Sequence, residues 1–517
     1  MSNEFTFDGL KKDIIDLKWF FFIYFLFLVT FVYVNNLGFE TVVAELIFFL
    51  ILGCILLLII SHKNLPIHKV ALLIIVIFGI SCLFLSPIIG APDENEHICR
   101  GELTSRGEFI PQYVYSPGNN YTHKDYKSIR SISQIGPKVQ MNYTSILSRK
   151  TVFQTNWDDQ KIDYTPSYVN SVFAQNPFYG YIPQAIGINI AKGLNLNNIW
   201  MIWLGRLCNL LVYGIIASYA IKKAPIYKSA LFVTSTLPLS IFQASSMSID
   251  AMVNGLSLLT IAYFLYMYKQ EDNTLTLKHV GIFTVLSVLT GLVKITFLAL
   301  ALLIFLVPKS KFKDKKTQLE GSIGFIITTV IILIWTKFYA SIANLQSWRF
   351  KYGLTHNINA QSQISFIIHN FSTYLSAITS IKMYKYIVWT LFYSGGYKYF
   401  AKTFILLYLV LFIVFCIEYP QKEKIKNRSK VGLCIIGAII LFGTITIEYI
   451  TWSPVGSHKV VGMQARYLIP LIAFAPMVLN INRNNESPKN NIKLLLYTIT
   501  IGFIALTVFA IFLRYYF

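Results

Sequence analysis

Long apolar runs separated by short polar gaps recur along most of the chain. A membrane-spanning helix needs roughly 20 mainly apolar residues, and a shorter one suffices where neighbouring helices bury it. The runs that meet this rule cover residues 19–35, 41–61, 68–89, 198–220, 229–243, 249–268, 279–292, 295–307, 321–342, 401–419, 431–450, 465–481 and 492–513. The pattern therefore predicts an all-α polytopic membrane protein of about thirteen transmembrane helices. We treat residues 1–517 as a single integral membrane domain.

Three longer polar regions interrupt this pattern. Residues 90–197 follow the third span, and their Ser, Thr, Asn, Tyr and Gly content favours turns and short strands over a large separate domain. Residues 343–400 contain two aromatic and apolar stretches, at 366–374 and 386–393. These stretches are too short or too polar to span and are typical of helices that lie in the interface. A shorter polar loop covers residues 451–464.

Composition agrees with a membrane protein and excludes a soluble enzyme. Hydrophobic residues make up 55% of the 517 residues and charged residues only 13%, against roughly 45–50% and about 25% in a soluble domain. Five of the six cysteines fall in apolar segments, so neither a disulfide framework nor a zinc site is indicated. The first apolar run lacks a small-residue cleavage site, which predicts a retained anchor instead of a signal peptide.

The formal net charge of +21 is a topology signal. Basic residues sit in short gaps between apolar runs, for example at 63–69, 222–228, 309–316 and 422–430, and form no single patch, so no nucleic-acid partner is expected. Short cationic loops are retained on the cytoplasmic side. Alternating the spans from a cytoplasmic amino terminus puts all these gaps inside. The same alternation puts the long polar regions and the carboxyl terminus outside.

The first candidate site is residues 92–100, whose sequence directly after the third span is Pro-Asp-Glu-Asn-Glu-His-Ile-Cys-Arg. The proline and the carboxylates after it suit the first turn of a helix. In that helix Asp93, His97 and Arg100 share one face. A carboxylate there, Asp93 or Glu94, can act as a general base whose pKa and orientation its neighbours set. The alternative is a charged helix start with intrahelical ion pairs.

Ionisable residues inside spans are informative because a central charge costs roughly 2.5–3.5 kcal/mol to insert. Arg206, Lys294 and Asp250 are the candidates. Asp250 follows a serine-rich turn on the predicted outer side, so solvation there is its alternative role. For Arg206 and Lys294 the alternatives are snorkelling to the interface or pairing with a carboxylate in the bundle.

A third motif, Gly-Met-Gln-Ala-Arg-Tyr-Leu-Ile-Pro at residues 462–470, begins the twelfth predicted span. The planar fork of Arg466 can bind a phosphate bidentately, and Gln464 and Tyr467 can add hydrogen bonds. The alternative is an aromatic and basic anchor at the interface. Tyr179, which closes the first polar region, can offer its ring to a sugar or anchor the chain at the interface.

These motifs follow one another along the chain in this order: 92–100, then 176–179, then 238–250, then Lys294, and finally 462–470. Together they resemble the bacterial family of polytopic membrane proteins catalogued as domain of unknown function twenty-one forty-two. The resemblance covers roughly residues 70–515, and the last motif is its most specific part.

That family is similar to the GT-C glycosyltransferase superfamily, whose members take sugars from polyprenyl-phosphate carriers on the outer side of the membrane. The resemblance implies a GT-C-like bundle with a large extracytoplasmic loop after the third span, in a bacterial plasma membrane. By the same resemblance Asp93 or Glu94 would be the base and Arg466 would face the carrier phosphate. The partners would be a polyprenyl-phosphate-linked sugar, an envelope glycan, lipid or protein acceptor, and membrane lipid. Superfamily members often carry the acidic residue after the first span, whereas here it follows the third.

The expected activity is transfer of a sugar from a polyprenyl-phosphate donor to a cell-envelope acceptor, with His97, Arg100, Tyr179, Asp250, Lys294, Gln464, Arg466 and Tyr467 binding substrate. The rival interpretation is a transporter or flippase of lipid-linked glycans, with charges lining a polar path. A third is a non-catalytic scaffold for envelope assembly. Asp93, Glu94, Glu96 and His97 offer ligands to a divalent metal, but their spacing fits no specific site, so no cofactor is assigned.

Overall fold

The computed structural model describes residues 7–114, 125–139, 155–391, 402–483 and 485–516, and these residues are mostly helical. Eight helices in these ranges are long and apolar enough to cross a membrane. They are Phe7–Val34, Phe39–His62, Ile67–Leu85, Asn198–Lys223, Asp250–Tyr268, Lys315–Trp335, Asn427–Trp452 and Asn490–Tyr516. The protein is therefore an all-α membrane protein.

Burial separates the central helices from the peripheral ones. In the most apolar windows of Asp250–Tyr268 and Asn490–Tyr516, 83% and 78% of the residues are buried, against 17% in the Lys315 helix. That helix continues through a π-helical turn, Thr336–Ala340, into Ser341–Leu345. The core of the bundle thus forms around Asp250–Tyr268 and Asn490–Tyr516, while the Lys315 helix presents an apolar surface suited to lipid.

Shorter helices fill the remaining apolar stretches. They are Lys228–Ser235, Pro238–Ala244, Leu277–Val293, Lys402–Glu418, Phe474–Leu479 and the 3₁₀ helices Ile295–Leu306 and Ala465–Ala473. The single helix expected at 229–243 is wrong: the chain breaks before Pro238, whose ring has no N–H and would clash with the preceding turn. Pro238 instead occupies the first turn of a new helix, where it is tolerated.

The described residues of the first polar region, 90–114, 125–139 and 155–197, contain a small sheet and several short helices. Strands Tyr126–Ile129 and Pro166–Val169 pair antiparallel, with Ile129 opposite Pro166. The helices are Glu94–Ser105, Arg130–Ser133, Ile135–Val139, Asn156–Asp159 and Ile182–Gly193, with 3₁₀ turns at Val172–Gln175 and Phe178–Tyr181. Trp157 is buried among them, and its indole N–H donates to the Ser131 carbonyl oxygen at 2.9 Å.

The Ile182–Gly193 helix, which the apolar pattern did not single out, lies tightly against Asn198–Lys223. Gly187 makes this possible, because a Cβ there would lie 2.2 Å from the carbonyl oxygen of Leu204. The backbones of the two helices therefore approach more closely than any larger residue at 187 would allow.

The described part of the second polar region, up to residue 391, contains the short helices Trp348–Thr355, Ala360–His369, Phe371–Ile378 and Ile381–Thr390. The stretch expected at 366–374 is helical but divided at Asn370. Of the stretch expected at 386–393, residues 392 and 393 lie outside the described residues.

The polar regions meet at one end of the bundle and the basic gaps at the other. At the first end the Trp348 backbone N–H donates to Asn170 at 2.9 Å, and Arg349 donates to the Thr451 carbonyl at 3.1 Å. At the other end the Lys426 N–H donates to Tyr268 at 3.0 Å. The Asp250–Tyr268 helix runs between the two ends, and Asp250 lies on the side of the polar regions.

Candidate functional site

Arg466 joins three segments that are far apart in sequence. It lies in the first turn of the 3₁₀ helix Ala465–Ala473 and is 5% exposed. Its Nη1 lies 3.1 Å from Asp250 Oδ2 and donates to the Pro92 carbonyl at 3.2 Å. Its Nη2 donates to the Asp93 carboxylate. Two of the predicted site carboxylates thus share one guanidinium.

Asp93 is the more accessible of these two carboxylates, with 42% of its side chain exposed. It caps the Glu94–Ser105 helix with φ = 60°, in the left-handed region that Asp tolerates better than most residues. Burial by itself would raise the pKa of Asp93, but the Arg466 guanidinium outweighs this effect and lowers the pKa below its ordinary value. Asp93 is therefore ionised at neutral pH while it is paired with Arg466.

Lys294 and Tyr467 extend the site from Arg466. Lys294 ends the Leu277–Val293 helix and begins the 3₁₀ helix after it, and its Nζ lies 3.4 Å from the centroid of the Tyr467 ring. The Tyr467 hydroxyl accepts a hydrogen bond from Arg466 Nη2 at 3.3 Å. Lys294 is also within electrostatic range of Asp250 and of a further carboxylate, Glu448.

Glu448 and Arg349 belong to this cluster and were missed by the sequence analysis. Glu448 is 7% exposed, and its Oε2 has no hydrogen-bond partner. Arg349 lies 3.9 Å from the centroid of the Trp452 ring and interacts electrostatically with Glu448. The signal for Glu448 was present, because it is a carboxylate inside the apolar stretch predicted at 431–450. Nothing local marked Arg349 among the other cations of its region.

Glu94 has a different environment from its neighbour Asp93. Its two oxygens accept from Arg206 Nε and Nη2 at 2.8 and 2.7 Å, and the Met247 N–H donates to it at 3.0 Å. Arg206 also donates to the carbonyls of Leu83, Ser86 and Pro87. Glu94 and Arg206 are both 0% exposed. Arg206 thus pairs with a carboxylate inside the bundle, and Glu94 is held in a structural ion pair.

His97 and Glu96 follow Asp93 in the first turn of the Glu94–Ser105 helix. His97 Nδ1 is 2.7 Å from the Tyr181 hydroxyl and Nε2 is 3.3 Å from Ser248 Oγ. Burial lowers the pKa of His97 to about 4, so the imidazole is neutral at pH 7. Burial raises the pKa of Glu96 to about 7, although the Val172 N–H and the Trp348 indole N–H both donate to its carboxylate. Glu96 therefore links the first polar region to the second.

Arg100 and Tyr179 have contacts of their own, away from Arg466. Arg100 donates to Thr104 and to the carbonyls of Glu108, Phe109 and Asn176, at distances of 2.9–3.2 Å. These bonds engage its nitrogens within the first polar region, which fits a role in positioning that region. The Tyr179 hydroxyl donates to the Leu289 carbonyl at 2.6 Å.

Two adjoining spaces open beside Arg466. The inner cleft, about 50 Å³, is lined by Pro92, Leu239, Gln243, Tyr386, Thr390, Gln464, Ala465 and Arg466. The outer groove, about 380 Å³, is lined by Ser380, Lys382, Met383, Tyr386, Lys459, Val460, Gly462, Met463 and Gln464. Tyr386 and Gln464 line both, so the groove leads to the cleft. Lys382 and Lys459 are the charged groups of the outer groove.

The arrangement can bind an anion and accept a proton in the same place. Among the described residues no group of three or more His, Cys, Asp and Glu side chains is arranged to hold a metal ion. Arg466 supplies positive charge at the cleft, Lys294 adds a second cation over the neighbouring Tyr467 ring, and Asp93 supplies a partly exposed carboxylate bound to Arg466. The structure thus brings together six of the candidate residues, Asp93, Asp250, Lys294, Gln464, Arg466 and Tyr467. Glu94, Arg100 and Tyr179 are engaged elsewhere.

No curated protein and no solved structure matches the chain. The model of the family described as "Predicted membrane protein (DUF2142)" matches residues 76–475, which is more than half of the chain. This match confirms the family resemblance drawn from the motifs. It covers the acidic motif, the Asp250 helix, Lys294 and Arg466. The chain therefore belongs to this family of membrane proteins.

Proposed function

We propose that this protein is a membrane glycosyltransferase of the GT-C type, which moves a sugar from a polyprenyl-phosphate donor to a cell-envelope acceptor. The observation that carries the proposal is the contact of Arg466 with both Asp93 and Asp250 beside a cleft. A phosphate clamp next to a carboxylate base is what glycosyl transfer from a phosphate ester requires. The acceptor is an envelope glycan, lipid or protein.

The orientation follows from charge. The basic gaps gather at the end of the bundle opposite Arg466, and short cationic loops are retained in the cytoplasm. The site then faces the extracytoplasmic side of a bacterial plasma membrane, where a lipid-linked sugar and an envelope acceptor can meet. In this proposal the shorter apolar helices complete a GT-C-like bundle of about thirteen crossings, with the amino terminus in the cytoplasm and the carboxyl terminus outside.

The reaction is a single displacement. The acceptor hydroxyl oxygen bonds to the anomeric carbon while the bond from that carbon to the phosphate oxygen breaks, and the hydroxyl proton passes to Asp93. Arg466 and Lys294 stabilise the charge that develops on the departing polyprenyl phosphate. Attack on the face opposite the phosphate inverts the anomeric configuration.

Phosphate binding would itself activate Asp93. In the ligand-free protein the Arg466 guanidinium lowers the pKa of Asp93, which makes its carboxylate a poor base. A phosphate bound beside Arg466 offsets part of the positive charge of its guanidinium, so the electrostatic attraction on Asp93 weakens and its pKa rises. The base then becomes competent when the donor is bound.

The first test compares strains that lack the gene and are restored with wild type, Asp93→Asn or Asp272→Asn, at equal membrane expression. We expect wild type and Asp272→Asn to restore the missing envelope sugar, measured by composition and linkage analysis. Asp272 is the matched control because it is an exposed carboxylate, paired with Lys311 in the basic gaps. Asp93→Asn should lower transfer at least about 100-fold, the usual scale of a lost general base. Full restoration by Asp93→Asn would remove Asp93 as the base.

The alternative, transport of a lipid-linked glycan, is favoured by one observation. Asp250, Asn254 and Ser257 lie at i, i+4 and i+7 on a largely buried helix, and the side chains of Asn254 and Ser257 have no hydrogen-bond partner. Such a polar stripe inside a bundle is typical of a substrate path. Restoration of the sugar by Asp93→Asn together with its loss in Asn254→Leu would support transport over transfer.

A further inference from the structure

We propose that Gln243 is a specificity-determining residue that binds a hydroxyl group of a sugar phosphate whose phosphoryl group lies in the inner cleft. This inference rests on the proposed function and deepens it, because it names the residue that distinguishes a glycosylated head group from a bare phosphate.

The first observation is the state of the Gln243 amide. Gln243 is 0% exposed, and neither its Nε2 nor its Oε1 has a hydrogen-bond partner. Burying an amide without partners is unfavourable, and buried polar side chains are almost always hydrogen-bonded. Because both the N–H group and the oxygen of this amide lack a partner, it can bind a ligand or ordered water at the wall of the cleft.

The second observation is the state of Arg466 in the same cleft. Its Nη atoms bind Asp93, Asp250 and Pro92, but its buried Nε has no partner. Arg466 and Gln243 both line the inner cleft, so two unused N–H donors border one small space. Two unpaired donors at one cleft, one of them on a guanidinium, suit the oxygens of a phosphoryl group.

The amide oxygen needs a donor, which the ionised oxygens of a phosphoryl group do not supply. An ionised phosphate monoester offers only acceptors, so it leaves Gln243 Oε1 unpaired. A hydroxyl group can donate to that oxygen. The ligand that satisfies the whole cleft therefore carries a phosphoryl group and a neighbouring hydroxyl, as a sugar 1-phosphate does.

The adjoining groove has room for the rest of such a ligand. The inner cleft, about 50 Å³, is too small for a whole sugar, whereas the outer groove offers about 380 Å³ and shares Tyr386 and Gln464 with it. The Gln464 amide stands at the junction of the two spaces. A sugar ring at this junction keeps one hydroxyl towards Gln243 while the remainder extends into the groove.

The test measures ligand affinity by thermal unfolding of the full-length protein in detergent, without turnover. The probes are inorganic phosphate, farnesyl phosphate, and a panel of hexose 1-phosphates comprising the glucose, galactose, mannose and N-acetylglucosamine esters. For wild type we expect at least one hexose 1-phosphate to bind about tenfold more tightly than inorganic phosphate. In Gln243→Leu this advantage should disappear while the affinity for inorganic phosphate stays within about twofold. The affinity for farnesyl phosphate shows whether the protein binds the phosphoryl group of a lipid or that of a soluble ester.

The matched control is Gln184→Leu. Gln184 is also 0% exposed, but its Nε2 donates to the carbonyls of Met247 and Ser248. We expect Gln184→Leu to lower the melting temperature and Gln243→Leu to leave it unchanged or raise it, since an unpaired amide is removed.

Two results would overturn the inference: equal affinity of wild type for inorganic phosphate and every hexose 1-phosphate, or a clear loss of ligand-free stability in Gln243→Leu. The first would mean that Gln243 binds only water, and the second that its role is structural. Because no transfer is measured, a binding shift that depends on Gln243 would stand even if Asp93→Asn restored the envelope sugar.

Discussion

Asp93 and Glu94 are adjacent in sequence but differ in what surrounds them. Asp93 occupies the N-cap position of the helix and its side chain binds Arg466, whereas Glu94 turns into the bundle and binds Arg206. The sequence placed both at the helix start and could not separate them, because the choice depends on a partner 112 residues away in the chain. Burial and pairing leave Asp93 as the candidate base.

The Glu94–Arg206 pair predicts a stability effect. Replacing Glu94 with Gln leaves a fully buried guanidinium without its counter-charge, so we expect the free energy of unfolding to fall by about 3–5 kcal/mol. Thermal unfolding of the detergent-solubilised protein measures this change. Glu108→Gln is the control, since Glu108 pairs with Arg106 at the surface and should contribute less than about 1 kcal/mol. A stable but inactive Glu94→Gln protein would return Glu94 to the list of catalytic candidates.

At the scale of elements, apolar length predicted the long helices well. The predicted span 431–450 lies inside the helix Asn427–Trp452, and the predicted span 249–268 differs from the helix Asp250–Tyr268 by one residue. Length could not predict where a chain turns inside an apolar stretch, as it does before Pro238. It also gave no sign of the Ile182–Gly193 helix, whose apolar residues are too few to resemble a span.

The contact of that helix with Asn198–Lys223 predicts a matched pair of glycine substitutions. Gly187→Ala forces the two backbones apart, because the added Cβ meets carbonyl and amide atoms that cannot move independently. We expect a loss of about 1–3 kcal/mol, the usual cost of overpacking. Gly193→Ala in the same helix meets nothing within 4 Å and should be neutral or stabilising by up to about 1 kcal/mol. Chemical denaturation of both variants provides the comparison, and equal stabilities would contradict the close approach.

At the scale of the whole molecule, the distribution of charge is what the sequence predicted most usefully. The lysine-rich gaps come together at one end, around Lys269, Lys311 and Lys426. The site at the other end depends on contacts between segments more than 370 residues apart, such as Asp93 and Arg466. Motif order could indicate that these segments act together, but the pairing itself required the fold.

This polarity predicts an accessibility difference. His458, near the outer groove, and Glu271, among the basic gaps, are both exposed, so a single cysteine can be introduced at either position. A membrane-impermeant maleimide should label His458→Cys in intact cells and Glu271→Cys only after permeabilisation, with the unmodified protein giving the background from its own cysteines. Labelling of Glu271→Cys in intact cells would reverse the proposed orientation.

The two 3₁₀ helices beside the site have a further effect on the space around it. A 3₁₀ helix rises about 2.0 Å per residue against about 1.5 Å for an α-helix, so the twelve residues of Ile295–Leu306 extend about 24 Å instead of about 18 Å. The same winding makes the helix narrower, with three residues per turn. Ala465–Ala473, which carries Arg466, is wound in the same way. The inner cleft is therefore bordered at Ala465 and Arg466 by a narrow helix, which takes up less width beside a bound head group than an α-helix would.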